Sequence, residues 1–236
     1  MERRTPLFVI CSSRPRVGKT LLARAFAEFF RSESRPVACF DVNPDEFALV
    51  DYLPGYTAVA SIADTRSQMA LFDQVLTPDH VPKVVDLGNT VFDHFFAVID
   101  EIGFADEARR RAVAPVLLFV ADQDRRSRQG YEMLRSRFPK LALVPVLNDA
   151  LPNASRWSDQ FPGTRLGGVP LHIPALSPMV RGVIERPSFS FAALAATPSD
   201  ATSELYGWTR RVFIEFRELE LRMLLADLQP ALKFSA

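Results

Sequence analysis

A doubly wound, mostly parallel α/β sheet with helices on both faces is the architecture this sequence predicts, on three observations. Short, nearly continuous apolar runs recur along the 236 residues, as expected of strands buried on both faces. Helical apolar patterns separate them, which favours parallel pairing through crossover helices. The first run, "LFVIC" at 7–11, leads through a turn into Gly18-Lys19-Thr20 and an amphipathic pattern, the strand–loop–helix order of a phosphate-binding turn.

The elements follow in order. Strands are expected at 7–11, 36–42, 83–87, 114–121, 141–147 and 168–174. Helices are expected at 19–32, about 90–112, 125–137 and 176–186, with a long one after Pro198 from about 203 to 228. No repeat, low-complexity tract or linker divides the chain, so residues 1–236 are read as one domain.

Composition narrows the function classes. Lys+Arg and Asp+Glu are both 28, so net charge steers the chain toward neither nucleic acid nor an anionic membrane. Cys11 and Cys39 each lie inside an apolar run and lack metal-ligand spacing, which suits a reducing cytoplasm. The apolar run at the N-terminus is too short for a secretory signal, and no segment reaches membrane-spanning length. His80, His94 and His172 share no metal-site spacing. Ser12 and Ser13 lack the context of a catalytic nucleophile.

The loop carries the first chemical expectation. A helix N-terminus offers free N–H groups and the positive end of its dipole to a phosphate. In "KTLLARAFAEFF" the apolar positions Leu22, Ala25, Phe26, Phe29 and Phe30 fit such a helix. Lys19 is placed to reach the β- and γ-phosphates of a nucleotide, and the Thr20 hydroxyl to ligate Mg²⁺. Ser13, Arg16, Val17, Gly18 and Leu21 complete the candidate nucleotide contacts, with Ser13 standing where such a loop normally opens with glycine. The plainer alternative is that G-K-T merely opens a surface helix.

Two aspartates weigh against that alternative. The second strand ends in "FDVNP" (40–44), with Asp41, and the third in "VVDLGN" (84–89), with Asp86. Carboxylates at the ends of separate parallel strands converge on the crevice where ligands bind in such sheets. There Asp41 and Asp86 could hold Mg²⁺ directly or through water.

With these motifs in order, the chain resembles the ParA/MinD family of P-loop ATPases, over roughly residues 5–195. The family's deviant Walker A loop, K-G-G-x-G-K-[ST], is similar to Arg14-Pro15-Arg16-Val17-Gly18-Lys19-Thr20, and its D-x-D-P element to "FDVNP". The resemblance implies that Asp86 is the Walker B aspartate, that Gly88 senses the γ-phosphate and that Asn148 reads the adenine. The family's "IP", helix and exit are matched by "HIPALSPMVRGVIERPSF" at 172–189. It further implies a homodimer sandwiching two nucleotides, with Arg14 where the family's signature lysine crosses to the partner's phosphates. A guanidinium pairs bidentately with phosphate, so Arg14 could do similar work.

The departures set mechanistic expectations. Pro15 removes one backbone donor, and Arg16 lacks glycine's ease at positive φ. Asn43 stands where the family has an aspartate that positions or activates the attacking water. An amide orients water but does not accept its proton, so ATP binding with slow or absent hydrolysis is expected, unless Asp41 or Asp45 covers the lost role.

Two further surfaces are candidates for partners. Arg125, Arg126, Arg128, Arg135 and Arg137 within 121–138, and "DEARRRAV" at 106–113, are possible DNA or protein contacts, though such runs are more often solvated faces. The last helix carries one apolar stripe (Leu205, Trp208, Val212, Phe216, Leu219, Met223) and a second of Phe213, Leu224 and Leu228. Its balanced polar side disfavours an anionic-membrane anchor, so packing or a protein partner is expected. The functional expectation is a nucleotide-dependent dimeric switch that positions DNA or protein cargo. The alternatives are a dethiobiotin-synthetase-like biosynthetic enzyme and a non-hydrolysing nucleotide-bound scaffold.

Overall fold

The computed structural model describes residues 4–45, 48–152, 158–197 and 203–232. Seven strands form one all-parallel sheet: β1 (Thr5–Cys11), β2 (Ala38–Val42), β3 (Thr57–Val59), β4 (Lys83–Leu87), β5 (Val113–Val120), β6 (Ala142–Asn148) and β7 (Leu171–Ile173). Their spatial order is β3-β2-β4-β1-β5-β6-β7. Strands β2, β3 and β4 thus lie on one side of β1 and β5, β6 and β7 on the other. The C-terminal end of β1 sits where the winding reverses, the usual place for a ligand crevice in an open sheet.

Alternation along β1 divides the core. Leu7, Val9 and Cys11 face one apolar layer, with α3 (Thr65–Val75), α4 (Phe92–Glu101), α5 (Phe104–Arg110) and α6 (Arg125–Arg137). Phe8 and Ile10 face the other, with α1 (Lys19–Ser32), α2 (Ala48–Tyr52), α7 (Pro178–Ile184), α8 (Phe191–Ala196) and α9 (Glu204–Leu232). Helices therefore cover both faces, as the continuous apolar runs required.

Helix α1 is buried almost all round. Phe26 lies 4.4 Å from Phe8 below it and 4.2 Å from Phe216 of α9 above it, centroid to centroid. Each such ring contributes about 1.5–3 kcal/mol by burial. On the side toward α8, Arg24 and Glu28 are also buried, at 2% and 1% exposure. Arg24 donates to Glu28 Oε1 (3.2 Å), to the Ile184 carbonyl (2.5 Å) and to that of Phe189, and stacks 4.3 Å from the Tyr52 ring. Glu28 accepts from Ser190 Oγ and from the Ala192 amide at 3.0 Å. This ion pair, saturated with hydrogen bonds, clamps the 184–192 segment to α1.

The helices expected at 19–32 and 125–137 have those bounds. The expected helix at about 90–112 is two, broken where Gly103 adopts φ 61°. The strand β3 and the helices α2, α3 and α8 were not expected. No helix among the described residues is long and apolar enough to cross a membrane.

Candidate functional site

The loop between β1 and α1 sets the geometry. Gly18 caps α1 at φ 97°, and neither a capping side chain nor an acidic residue serves the first turn. A Cβ on Gly18 would lie 2.8 Å from Asn148 Nδ2, so glycine is required by conformation and by space together. Arg16 adopts φ 57° although it is not glycine, a left-handed conformation costing about 1–2 kcal/mol. Pro15 and Arg16 are exposed, whereas Val17 is buried.

Lys19 is 8% exposed and its ammonium donates to the Arg14 carbonyl at 3.0 Å, so its side chain folds back over the loop. Burial lowers its pKa, while Asp86 and Cys11 pull the other way. That places a cation inside the loop's own curve, where a phosphate on the uncapped amides would meet it.

Asp41 and Asp86 are register partners on β2 and β4. Phe40, Val42, Val85 and Leu87 belong to one core layer and Cys39 and Val84 to the other. Strand alternation therefore turns both carboxylates toward α1. Asp41 is fully buried; its Oδ2 accepts from the amides of Leu49 (2.9 Å) and Val50 (3.4 Å), and its Oδ1 is buried without a hydrogen-bond partner among the described residues. Burial, above all, pushes its pKa up. Asp86 is raised to about 6, first by burial and also by the Asp41 charge, against the Thr20 hydroxyl and the Lys19 ammonium. Among the described residues, Lys19 is the cation set against these two buried carboxylates, one of which has an oxygen without a partner. An oxygen-preferring divalent cation would meet that need.

Asn43 and Gly88 meet at the end of the same two strands. The Gly88 amide donates to Val42 O (2.9 Å), and a Cβ on Gly88 would lie 2.7 Å from Asn43 Oδ1. The Asn43 amide thus rests on the Gly88 backbone beside Asp41 and Asp86. Thr90 Oγ1 donates to Asp45 at 2.7 Å, so Asp45 is engaged nearby.

Three expected nucleotide contacts are occupied within the chain. Asn148 donates from Nδ2 to Val17 O (2.9 Å) and accepts at Oδ1 from the Ala150 amide (3.0 Å). Its amide pins the loop to β6, and the space beside it, lined by Leu21, Ile173, Trp208 and Val212, holds about 10 Å³. A base would enter only if these residues parted. Ser13 Oγ donates to the Arg126 carbonyl (2.9 Å). The Arg14 guanidinium lies 3.6 Å from Asp122 and 3.8 Å from Asp124 of its own chain, so reaching a second subunit requires it to leave both. Asp122 and Asp124 were missed from the sequence as Arg14's partners; Asp124, which caps α6 through the Arg126 amide, was the one legible signal there.

Of the arginine run on α6, Arg137 pairs with Asp100 (2.8 Å) and Arg135 with Glu132 (3.6 Å), while Arg125, Arg126 and Arg128 are exposed. On α9, Trp208, Val212, Phe216 and Leu219 are buried as expected, and Leu224 and Leu228 are exposed together with Ile214, Leu221 and Leu225. The described residues contain no cluster of three or more potential metal-ligating His, Cys, Asp or Glu side chains.

A parallel α/β sheet with a glycine-capped loop, a buried lysine and two strand-end carboxylates at its switch point is what fold and site define. No protein-family model matches the chain, and no curated protein matches it in sequence.

Proposed function

We propose that this chain is a cytoplasmic ATP-binding protein of ParA/MinD type, acting as a nucleotide-dependent dimeric switch with slow or impaired hydrolysis. The observation that carries the reading is the convergence of Lys19, Thr20, Asp41 and Asp86 under the uncapped start of α1. The motif order that resembles this family supports it as well. Gly18, Lys19 and the first-turn amides hold the phosphates. Thr20, Asp41 and Asp86 would hold Mg²⁺, which would supply charge neutralisation to the phosphates. Asn43, set on Gly88, orients a water without taking its proton. A nucleotide favours the dimer only by contacts it makes there and not in the monomer, and Arg14 is the candidate for one.

The engagement of Arg14 by Asp122 and Asp124 also favours a second reading, a nucleotide-bound scaffold that holds ATP without turnover. Size-exclusion chromatography with ADP, ATP and a non-hydrolysable analogue, beside a phosphate-release assay, tests both. ATP-dependent dimers with slow release support the switch; dimers without release support the scaffold. In calorimetry Lys19→Ala is expected to abolish ATP binding, and unchanged affinity would refute the loop assignment.

A further inference from the structure

At the opposite end of the sheet from the phosphate loop, the first residues of β5 and β6 floor a cavity of about 810 Å³. That volume lies within the range of small-molecule sites, roughly 300–1,000 Å³. Its floor is apolar, from Val113, Pro115, Leu141, Leu166 and Met223, and its rim carries Arg4, Arg109, Lys140 and Arg165, with Asp106 the one carboxylate among the described residues that line it. Arg4 is neutralised by Asp227 of α9. Asp106 is shared, 2.7 Å from Lys140 and 3.4 Å from Arg109. Arg165 donates to the neutral carbonyl of Pro139 (3.1 Å) and has no carboxylate partner among the described residues.

Arg165 is also held where it is. Its backbone lies in the left-handed region at φ 68°, and the preceding residue is pinned to β6. The Thr164 amide donates to Leu143 O (2.8 Å), and Thr164 Oγ1 accepts from the Leu143 amide (3.2 Å). A cation on a strained, anchored backbone at the mouth of a cavity is a preorganised anion contact.

We propose that this cavity is a second ligand site, taking a small organic phosphate whose apolar body lies on the floor and whose head meets Arg165, Arg109 and Lys140. Among the described residues, three cations against one carboxylate leave two positive charges, matching the roughly −1.5 to −2 of a phosphate monoester at neutral pH. Planar guanidinium groups pair bidentately with such oxygens. The apolar floor selects an ester over the free ion. The site stands at the opposite end of the strands and does not depend on the phosphate loop binding anything.

The test is calorimetry on the full chain with 1-naphthyl phosphate as probe, beside 1-naphthol and inorganic phosphate. Binding is expected for the ester, weaker by about tenfold or more for either fragment and for Arg165→Gly, which also suits the backbone conformation, and for Arg109→Ala on the exposed surface of α5. Affinity should fall between roughly 50 and 300 mM salt and stay unchanged in Lys19→Ala. No heat from the ester up to about 10 mM, where even weak sites register, overturns the proposal. So does equal binding by both arginine variants. Loss of binding in Lys19→Ala places the probe at the phosphate loop and overturns it too, whereas inorganic phosphate binding as tightly as the ester refutes the role of the floor.

Discussion

Replacing Asp86 by asparagine removes a buried charge whose cost can be read from pH dependence. In the folded chain its pKa rises from 3.8 to about 6, and each pH unit is worth 1.36 kcal/mol. The native state therefore holds that proton more tightly than the unfolded state by about 3 kcal/mol. The sign follows from linkage. Between the two pKa values the native state binds more protons, so this group's contribution is fully present below pH 3.8 and is lost as pH rises through about 6. Asp86→Asn abolishes that loss. The variant should gain on the wild type by about 2–3 kcal/mol between pH 4 and pH 7.5. Lys19 takes back part of this gain at neutral pH, because its pKa, lowered by burial, loses the attraction of Asp86. Urea unfolding of both proteins at several pH values, without nucleotide or magnesium, measures the difference, and other carboxylates cancel in the comparison. Parallel stability curves across this range would show that Asp86 titrates normally and is not desolvated beneath α1.

Three further outcomes are expected. Asn43→Asp restores a carboxylate isosteric with the amide on Gly88 and should raise phosphate release about tenfold or more, toward the range of general-base effects; a flat rate shows that Asn43 does not limit turnover. Arg24→Ala strands the buried Glu28 carboxylate and should cost about 3–5 kcal/mol in thermal or urea unfolding; a loss below 1 kcal/mol would mean Glu28 finds water. Arg16→Gly relieves the φ 57° strain but adds chain entropy to the unfolded state, so a net gain of at most about 1 kcal/mol is expected, and a destabilised variant would place Arg16's side chain in a stabilising contact.

Where local pattern and tertiary demand agree, the chain was readable. Helix α6 begins at its Asp124 cap and buries Tyr131 and Leu134 at helical spacing, so its limits followed from composition alone. The break at Gly103 was hidden because Phe104 and Ala108 continue the burial begun by Phe96 and Ile99, leaving no gap in the apolar pattern. Strand β3 has three residues, two of them exposed; it exists through pairing with β2 rather than through its own sequence. Helix α3 did carry a signal, the Asp64 side chain accepting from the Ser67 amide, but its few apolar positions gave a weak period. At the site, glycine, lysine and the strand-end aspartates could be read because each belongs to one contiguous segment. The ties of Asn148 to Val17 and Ser13 to Arg126 join residues 131 and 113 positions apart, and nothing local announces them.

Trp208 donates from its indole nitrogen to Pro174 O at 2.7 Å and, with Val212, closes the narrow space beside Asn148. The same helix carries Ile214, Leu221 and Leu228 outward, spaced seven residues apart. Prising that space open would have to drag or tilt α9, and a stiff rod moves along its whole length. The wall beside Asn148 and the exposed ridge of Ile214, Leu221 and Leu228 therefore belong to one rigid element.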